Sequence, residues 1–376
     1  GFVALNTANL ATPTIADGSA YFQPTLYEGN GSTQSIDQDG NSTFQPDWVW
    51  IKNRDATDQH ALFDVVRGAT ELMGTNATTA EATNDDTLTG FESDGFALGD
   101  DVIVNTNNES YVAWQWKANG SGSSNEDGSI NTTATTANTT AGFSISTYTG
   151  NATVGATVGH GLGIAPKVVI VKSRSNVENW IFGHDSVGWN KAMYMSSTGA
   201  PFTLDIYWNN TAPTSSVVTL HDHVVTNGSG ATYVMYSFAE IPGYSSFGSY
   251  TGNGSATDGT FVYTGFTPRY VLFKRTNAAE SWPILDTARG SSFGADAGTG
   301  GDNPTAANDL NNVLVASTTA AEEDNASGSR KASFNSNGFK VRTTNTAMNG
   351  SGSTYIYMAF AEHPFGGEDV APATAR

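Results

Sequence analysis

Apolar residues alternate with period two along several short stretches of the chain, and this pattern predicts β-strands. Residues 48–51 place two tryptophans on one side and Val49 and Ile51 on the other, and residues 111–116 repeat the alternation. Thr, Gly, Ser and Asn are abundant, and they favour strands and turns over helices. Residues 70–84 are the best candidate for a short helix, although their threonines argue against a long one. The pattern therefore predicts an almost entirely β chain.

The stretch PDWVWIKNRDATDQHALFDVVRG begins at Pro46, and edited copies of it begin at Pro166 and Pro268. Each copy contains a proline, an apolar strand, basic residues, a polar turn, an aromatic strand, an acidic residue and a glycine. A fixed series of strand and turn signals that recurs at roughly 100–120 residues predicts three related modules. The opening strands of the modules match around Tyr27, Tyr148 and Tyr250, and the closing strands match around Tyr111, Tyr233 and Tyr355.

Strands without intervening helices point to tandem antiparallel β-sandwich modules of the jelly-roll or lectin-like type. Modules two and three should abut rigidly, whereas module one should hang on a linker. The expected segments are an extended N-terminal arm (1–20), a first β module (21–117), a low-complexity linker (118–142), a second β module (143–242), a third β module (247–365) and a loose C-terminal tail (366–376).

The composition excludes several classes of function. A formal net charge of −19 and a pI of about 4.4 repel phosphate backbones, so nucleic acid is a poor partner. The chain has no cysteine, which excludes disulfides, cysteine catalysis and zinc thiolate sites. No apolar run reaches the length of a membrane-spanning helix, so membrane insertion is not expected. The chain begins at Gly1 without a signal-like segment, and we expect that it was processed or that an upstream part precedes it.

The carboxylates do not suggest a catalytic pair. Glu240 and Glu362 end the closing strands of modules two and three, so they occupy equivalent places and cannot face each other as a glycosidase pair must. His184 and Asp185 could begin a nucleophile constellation, but no serine lies in a GxSxG motif. We expect no catalytic residues and no enzyme activity, and a polysaccharide depolymerase is the alternative.

Acidic residues recur in the repeated stretch. Aligning Asp185 with Asp64 and Asp286 gives an acid that all three modules share, which is typical of a structural role. Asp64 with Arg67, and Asp286 with Arg289, are expected to tie a turn together. The recurring basic residues are expected to pair with these aspartates, with ligand binding as the alternative; they are Lys52 and Arg54, Lys172 and Arg174, and Lys274 and Arg275.

Two short patterns are weak candidates for metal binding. His221 and His223 would lie on the same face of a strand, which suits a transition metal, but a zinc site needs further ligands. Asp37 and Asp39 look like part of a calcium loop, but Gly40 stands at the fourth rather than the sixth position that an EF-hand requires. We therefore expect no cofactor, and calcium bound by Asp37 and Asp39 is the alternative.

Asn-x-Ser/Thr sequons exceed the number expected by chance, although turn chemistry accounts for much of the excess. They are glycosylation candidates in a host that has the machinery. The 13 sequons are at Asn30, Asn41, Asn76, Asn108, Asn119, Asn131, Asn138, Asn151, Asn209, Asn227, Asn253, Asn325 and Asn349.

The first repeated stretch, followed by ESDGFALG and ESYVAWQWKA, resembles an uncharacterised domain that is repeated in virion proteins of marine tailed phages, cyanophages included. The segment GFSISTYTGNATVGATVGHGLGIAPKVVIVKSR and the ending AEHPFGGEDVAPATAR are similar to the same proteins. The resemblance covers nearly the whole chain and is more specific for the first two modules. It implies β-sandwich modules and a structural or host-recognition place on a tail fibre, an appendage or a capsid. It implies no catalytic residue.

We expect a non-enzymatic structural protein of a virion appendage or an extracellular fibre, located on the virion surface or outside the cell, that contributes to host attachment. The alternative is a carbohydrate- or receptor-binding module, in which exposed aromatic residues such as Trp189, Trp208 and Trp282 stack on sugars. Self-assembly into a homo-oligomer or fibre is expected to use the arm, which would dock on an adjacent subunit. The apolar residues of the arm are Phe2, Val3, Leu5, Leu10 and Ile15.

Overall fold

The computed structural model describes residues 13–290, 309–324 and 329–365. Nearly all regular structure in these ranges is β, arranged in antiparallel sheets, so the expected all-β, sandwich-type fold is confirmed. The helices in the same ranges are two four-residue turns and one 3-10 turn, Gly18–Ala20. None of these helices is long and apolar enough to cross a membrane.

The first module has a large and a small sheet that enclose an apolar layer containing Val49, Phe63 and Phe96. Its elements are β1 (Phe22–Glu28), β2 (Gln34–Asp37), β3 (Trp48–Asn53), β4 (Ala61–Asp64), β5 (Gly68–Gly74), β6 (Ala82–Thr83), β7 (Leu88–Glu92), β8 (Gly95–Leu98), α1 (Val102–Asn105) and β9 (Ser110–Trp116). The sheets have the strand orders β1-β9-β3-β4-β5-β6 and β2-β8-β7. The helix predicted at residues 70–84 is wrong, because β5 and β6 lie there and β5 buries an apolar side chain on each face of the sheet.

The second module repeats this arrangement around an apolar layer that contains Val169, Tyr207 and Leu220. Its elements are β10 (Ala134–Asn138), β11 (Phe143–Thr149), β12 (Ala156–Gly159), β13 (Val168–Ser173), β14 (Ile181–His184), β15 (Lys191–Tyr194), β16 (Phe202–Thr203), β17 (Val217–Leu220), α2 (Val224–Asn227) and β18 (Thr232–Phe238). The large sheet has the order β10-β11-β18-β13-β14-β15-β16, and β12 pairs with β17 in the small sheet.

The third module places Phe339 and Val341 of its small sheet against its large sheet. Its elements are β19 (Ser245–Thr251), β20 (Phe261–Tyr263), β21 (Phe266–Arg275), β22 (Pro283–Asp286), β23 (Asp309–Leu310), β24 (Asn312–Val315), β25 (Glu323–Asp324), β26 (Ala332–Asn335), β27 (Gly338–Val341) and β28 (Thr354–Pro364). The sheets have the orders β19-β28-β21-β22-β24-β25 and β20-β27-β26-β23.

The three large sheets share one core, so module one does not hang on a linker. All six residues of β3 and all six of β13 are buried, which means that both faces of each sheet are covered. One face of each sheet packs on the small sheet of its own module, and the other face packs on the neighbouring modules. The chain is therefore a block of three sandwiches around a common apolar centre.

Equivalent aromatic residues from the three modules meet at this centre. Trp116, Phe238 and Phe360 are spaced 122 residues apart (238 − 116 and 360 − 238). The ring of Phe360 lies 5.5 Å from that of Trp116 and 5.9 Å from that of Phe238. Trp48 adds contacts to module two, with its ring 5.0 Å from that of Tyr236. Rings of this size bury large apolar areas, so the shared centre is a main source of stability.

The segment 118–142 is an ordered part of module two, which corrects the expectation of a linker. Its strand β10 pairs with β11 along five residues. Farther upstream, the amide of Ile130 donates to the carbonyl oxygen of Thr157 at 2.9 Å, so the segment also covers the free edge of β12. Backbone pairing requires no apolar side chains, which explains how a Ser- and Thr-rich stretch is ordered here.

The described part of the arm packs on its own chain. Ile15 is 3% exposed and belongs to the shared core. Asp17 accepts hydrogen bonds from the backbone amide of Ser19 and from the hydroxyl of Ser42, so this end of the arm is also tied to module one. The remaining assembly candidates, Phe2, Val3, Leu5 and Leu10, lie outside the described residues, as does the tail 366–376.

The matched tyrosines of the opening and closing strands pair with each other in every module. They stand opposite each other in the strand register, and their rings stack at 5.0, 5.1 and 4.9 Å in modules one, two and three. The hydroxyl groups donate to backbone carbonyls of the turn that precedes the closing strand, as Tyr148 does to Thr226. The recurrence seen in the sequence is therefore a structural device that anchors this turn.

Candidate functional site

Buried polar and charged side chains are concentrated where the modules meet. The first set of them occupies one position of the repeated stretch. The strand register makes Asp64, His184 and Asp286 equivalent, since each ends the strand after the polar turn and pairs with the first apolar residue of its copy. The alignment of Asp185 with Asp64 and Asp286 is therefore wrong by one residue. In module two the histidine, and not the neighbouring aspartate, takes the place of the acid.

Each of these three residues reaches into a different module. The Asp64 carboxylate accepts a hydrogen bond of 2.6 Å from the hydroxyl of Tyr236 in module two. The Asp286 carboxylate accepts one of 2.9 Å from the indole N–H of Trp114 in module one. The imidazole of His184 lies 3.3 Å from the carbonyl oxygen of Tyr357 in module three. The three contacts run from module one to two, from three to one and from two to three, and they form a closed ring, here called the inner ring.

A second ring of contacts uses another repeated position, at which the modules have His60, Trp180 and Trp282. The indole N–H of Trp180 donates to Gly74 in module one, and that of Trp282 donates to Ser197 in module two, both at 2.9 Å. The imidazole of His60 completes the ring at 3.1 Å from the carbonyl oxygen of Val315 in module three. The two rings together tie every module to both others.

None of the repeated basic residues pairs with the expected aspartates. Arg54, Arg174 and Lys274 bind across the interfaces, whereas Arg275 binds Asn277 and Glu280 of its own module. Arg54 pairs with Glu322 of module three at 2.7 Å, and Arg174 pairs with Glu81 of module one at 2.6 Å. Burial raises the pKa of Glu81, but hydrogen bonds and charge from Arg174 and Arg67 more than offset this, so its pKa lies below the ordinary value. Both ion pairs are partly exposed and lie nearer the surface than the inner ring.

The three repeated lysines donate to backbone carbonyls. Lys52 and Lys172 bind the turn that follows their own strand, and Lys274 binds the carbonyl oxygen of Thr198 in module two at 2.9 Å. Burial lowers the pKa of each lysine to about 8, since the charged ammonium loses its hydration. Nearby carboxylates raise it only in part. Such lysines hold turns together by charge-assisted hydrogen bonds.

The expected ties between Asp64 and Arg67 and between Asp286 and Arg289 are confirmed. In both pairs the aspartate accepts from the arginine Nε and from its backbone amide, and both side chains are fully buried. Burial alone would lower the pKa of the Arg289 guanidinium, but the charges of Asp286 and Glu322 raise it. The partners of each buried pair compensate the cost of removing its two charges from water. The pair thereby holds the interface in one arrangement.

His184 has no access for a substrate. It is 1% exposed, and the space beside it, between Phe182 and Trp282, is too narrow for a water molecule. Burial lowers its pKa to about 4, so the ring is neutral at physiological pH. A nucleophile constellation at His184 and Asp185 is not supported, because Asp185 instead pairs at the surface with Lys167 at 2.6 Å.

Glu240 and Glu362 both serve as structural acceptors. Glu240 accepts a hydrogen bond of 3.0 Å from the backbone amide of Phe247. Glu362 accepts hydrogen bonds from Arg269 at 2.5 Å and from the hydroxyl of Thr287 at 3.0 Å. Both carboxylates therefore have partners within the fold.

His221 and His223 do not share a strand face, which corrects the predicted geometry for a transition metal. They lie after β17, and His223 caps the helical turn α2 by accepting from the backbone amide of Val225 at 3.2 Å. His221 instead pairs with the adjacent Asp222 at 2.5 Å. Among the described residues, no group of three or more His, Asp or Glu side chains could hold a metal ion.

Asp37 and Asp39 are both exposed, and only Asp39 lines a cleft. This cleft has a volume of about 190 Å³ and lies between the arm and module three, where Arg269, Glu362 and His363 also face it. Asp37 ends β2 and stands opposite Gly95 in the small sheet of module one. Among the residues that the structure describes, neither aspartate belongs to a group of three or more acidic or histidine side chains that could hold a metal ion.

The tryptophans expected to stack on sugars are buried, which overturns that assignment. Trp189 is 7% exposed, Trp208 is fully buried, and Trp282 belongs to the second interface ring. Exposed aromatic residues occur elsewhere, at Phe261 and Tyr263 of β20, which are 46% and 59% exposed. Sequence reasoning missed them because a three-residue strand with one apolar residue between two aromatic ones does not reveal which side faces solvent.

The sequons divide by exposure. Asn227 and Asn349 are fully buried, because their side chains bind backbone groups around the turn before the closing strand, so they cannot accept a glycan in the folded protein. Asn76, Asn138 and Asn209 are half-buried, and Asn325 lies outside the described residues. The exposed sequons are at Asn30, Asn41, Asn108, Asn119, Asn131, Asn151 and Asn253.

One protein family covers the three modules and the contacts between them. A family model described as a domain of unknown function, DUF7483, matches residues 17–364. The chain belongs to this family. The DUF7483 match treats the three modules as one unit, in agreement with the single shared core. A search of curated proteins gives no match. The candidate site of this DUF7483 chain is therefore the set of buried polar contacts between its modules, which form the inner ring and the second ring.

Proposed function

We propose that this DUF7483 protein is a non-enzymatic structural protein that forms part of a virion appendage or an extracellular fibre. The observation that carries the proposal is the closed inner ring of Asp64, His184 and Asp286. Buried charges and polar groups are costly to desolvate unless each has its partner in place, so the contacts of the inner ring favour one arrangement of the modules. Here they hold three modules in one rigid block, which suits a subunit that transmits or resists force within an assembly.

The placement on a virion rests on the resemblance of the repeated stretch to domains of marine tailed-phage virion proteins. Two further features support a surface role. The net charge of −19 keeps such a protein soluble and disfavours binding to nucleic acid, and the carboxylates that could act on a polysaccharide, Glu240 and Glu362, are bound by structural partners. We expect the purified protein to release no reducing ends from bacterial surface polysaccharides.

Self-assembly is proposed to use the first residues of the arm. Residues 13–20 pack on their own chain. The proposed contact with a neighbouring subunit is therefore assigned to the earlier apolar residues Phe2, Val3, Leu5 and Leu10. Burying four such side chains contributes about 1.5–3 kcal/mol each, enough to offset the entropy of ordering a short segment.

The test compares the full chain with a variant that lacks residues 1–12 and with a control that lacks residues 366–376. Light scattering and negative-stain imaging should show oligomers or fibres for the full chain and for the control, but folded monomers for the first variant. A full chain that remains monomeric at high concentration, or a truncated arm that assembles normally, would contradict the proposal.

A further inference from the structure

Phe261 and Tyr263 are the only aromatic side chains among the described residues that are largely exposed, although the chain has 41 aromatic residues in total (19 Phe, 14 Tyr and 8 Trp). They lie two positions apart on β20, so they project on the same side of the sheet, roughly 7 Å apart along the strand. The residue between them, Val262, is buried on the opposite side. Two large rings kept in solvent on one strand face suggest a ligand-binding surface.

The same position is not aromatic in the other modules. The strand register makes Phe261 and Tyr263 equivalent to Ser35 and Asp37 of β2, because Tyr263 and Asp37 each stand opposite the glycine that starts the next strand. That glycine, Gly338 in module three, cannot carry a side chain, since a Cβ there would lie 2.0 Å from the carbonyl oxygen of Val262. The aromatic pair is a property of module three and not of the repeated scaffold.

The surface beside the two rings is positively charged in a strongly acidic protein. Lys340 stands directly opposite Phe261 on β27, and Arg342 follows two residues later on the same side. Two donors of Arg342, Nε and one terminal NH, bind the hydroxyl of Ser333 and the carbonyl oxygen of Thr257, which hold the guanidinium in place. The ammonium of Lys340 lies 2.7 Å from the carboxylate of Asp258, whose side chain is 90% exposed.

The sequence of module three shows the same excess of positive charge over a longer segment. Residues 325–361 contain four basic residues and no Asp or Glu, whereas the whole chain has 36 acidic and 17 basic residues. Three of the four basic residues lie on or directly beside β26 and β27: Lys331 precedes β26, Lys340 belongs to β27, and Arg342 follows β27. A local positive field attracts an anionic ligand to this face, while the rest of the molecule repels it.

We propose that the outer face of the small sheet in module three binds an acidic polysaccharide. Phe261 and Tyr263 stack on the faces of sugar rings, whose C–H groups suit the negative face of an aromatic ring. Lys340 and Arg342 bind the carboxylate or sulfate groups by charge-assisted hydrogen bonds. The combination of flat apolar rings and fixed cations fits such a polymer better than a protein edge. This inference deepens the proposed surface role by naming the class of ligand.

The test measures binding of the full chain to three probes by titration calorimetry: alginate, which carries carboxylates, dextran sulfate, and neutral dextran. We expect binding to at least one acidic polymer, weaker at high salt because the charges are exposed, and none to neutral dextran. The double variant Phe261→Ala with Tyr263→Ala should lose binding at least tenfold. The double variant Lys340→Gln with Arg342→Gln should lose binding severalfold and lose most of the salt dependence.

The matched control is Val177→Ala, which truncates an apolar side chain that is 69% exposed in module two and should bind like the original chain. Thermal unfolding should be nearly unchanged in all variants, because the altered side chains lie at the surface.

Unaltered binding in the aromatic variant, or no binding to either acidic polymer, would overturn the proposal. A dimer of the original chain that this variant disrupts, without polymer binding, would instead identify a second copy as the occupant. Polymer binding and arm-dependent assembly are separate measurements, so either proposal can fail alone.

Discussion

Asp64 and Asp286 illustrate how single residues decide the arrangement of this molecule. Each is buried beside an arginine and, at the same time, accepts a hydrogen bond from another module. A carboxylate without these partners would be too costly to bury, so the fold within a module and the docking between modules depend on the same atoms. His184 performs the equivalent task as a neutral ring, which needs no cationic partner. Its neighbour three residues later is accordingly Val187 and not an arginine.

Replacing Asp64 by Ala should lower the free energy of unfolding by about 3–5 kcal/mol, because the Arg67 charge would stay buried without its partner. Asp286→Ala should have a similar effect. The matched control is Asp185→Ala, which breaks an exposed pair with Lys167 and should cost about 0–1 kcal/mol. Urea unfolding checks all three variants. Equal losses for Asp64→Ala and Asp185→Ala would show that the inner ring contributes little.

The protein should lose stability as the pH falls from about 6.5 toward 4. Burial lowers the pKa of His184 from 6.5 to about 4, so in this range the unfolded chain binds a proton that the folded chain does not. The stability that this histidine contributes is complete above pH 6.5 and is lost on acidification, by on the order of 3 kcal/mol.

The measurement is the midpoint of thermal unfolding as a function of pH. His184→Gln should reduce the slope of the profile between pH 6.5 and 4. His60 contributes in the same direction, because burial holds its pKa well below the ordinary value, so the variant should reduce the slope without abolishing it. An unchanged slope in His184→Gln would contradict the assignment.

Modules two and three differ in what covers their equivalent edge strands, β12 and β20. In module two, residues 128–130 follow the edge of β12, and Ser129 exchanges hydrogen bonds with Thr157. In module three, β20 ends its sheet and carries the exposed aromatic pair. An uncovered edge is a hazard for aggregation unless it is charged, short or used for binding. The short β20, flanked by Lys340 and Asp258, is consistent with an edge that is kept for a ligand.

The segment 118–142 should resist proteolysis in the native protein. A flexible linker of this composition would be a preferred cleavage site, but here β10 pairs with β11 and Ile130 binds the edge of β12. Brief digestion with a protease of broad specificity, followed by mass spectrometry, should therefore yield no separate module one. Early cleavage between residues 118 and 142 would mean that the segment opens locally.

At the scale of the whole molecule, the three modules depend on one another. Both faces of β3 are buried, and the inward side carries Trp48 and Trp50 against modules two and three. An isolated module one would expose this face together with Trp114 and Trp116 of β9. A module of this size has a small core, so it would not be stable after losing this much buried aromatic area.

We therefore expect one cooperative unfolding transition for the whole chain. Calorimetry should give equal calorimetric and van't Hoff enthalpies, and fluorescence and circular dichroism should report the same midpoint. A fragment of residues 13–117 should be unfolded or aggregated when expressed alone. Three separate transitions, or a soluble folded fragment, would show that the modules are independent domains.

The sequence by itself determined the threefold repetition and the long alternating strands, because period-two alternation and turn residues are local signals. It did not find β5, β6 and β10, whose segments were expected to be a helix and a linker. It also identified the buried pairs of Asp64 with Arg67 and of Asp286 with Arg289, which lie three residues apart. It placed matched tyrosines in the opening and closing strands, and those tyrosines prove to face each other. Only the tertiary structure decided which partners lie across a module boundary. Tyr236 and Asp64 are 172 residues apart, and no local pattern records such a contact. Exposure was likewise decided in three dimensions, since Trp282 and Tyr263 are both aromatic residues near strands, yet packing between modules buries the first and leaves the second in solvent.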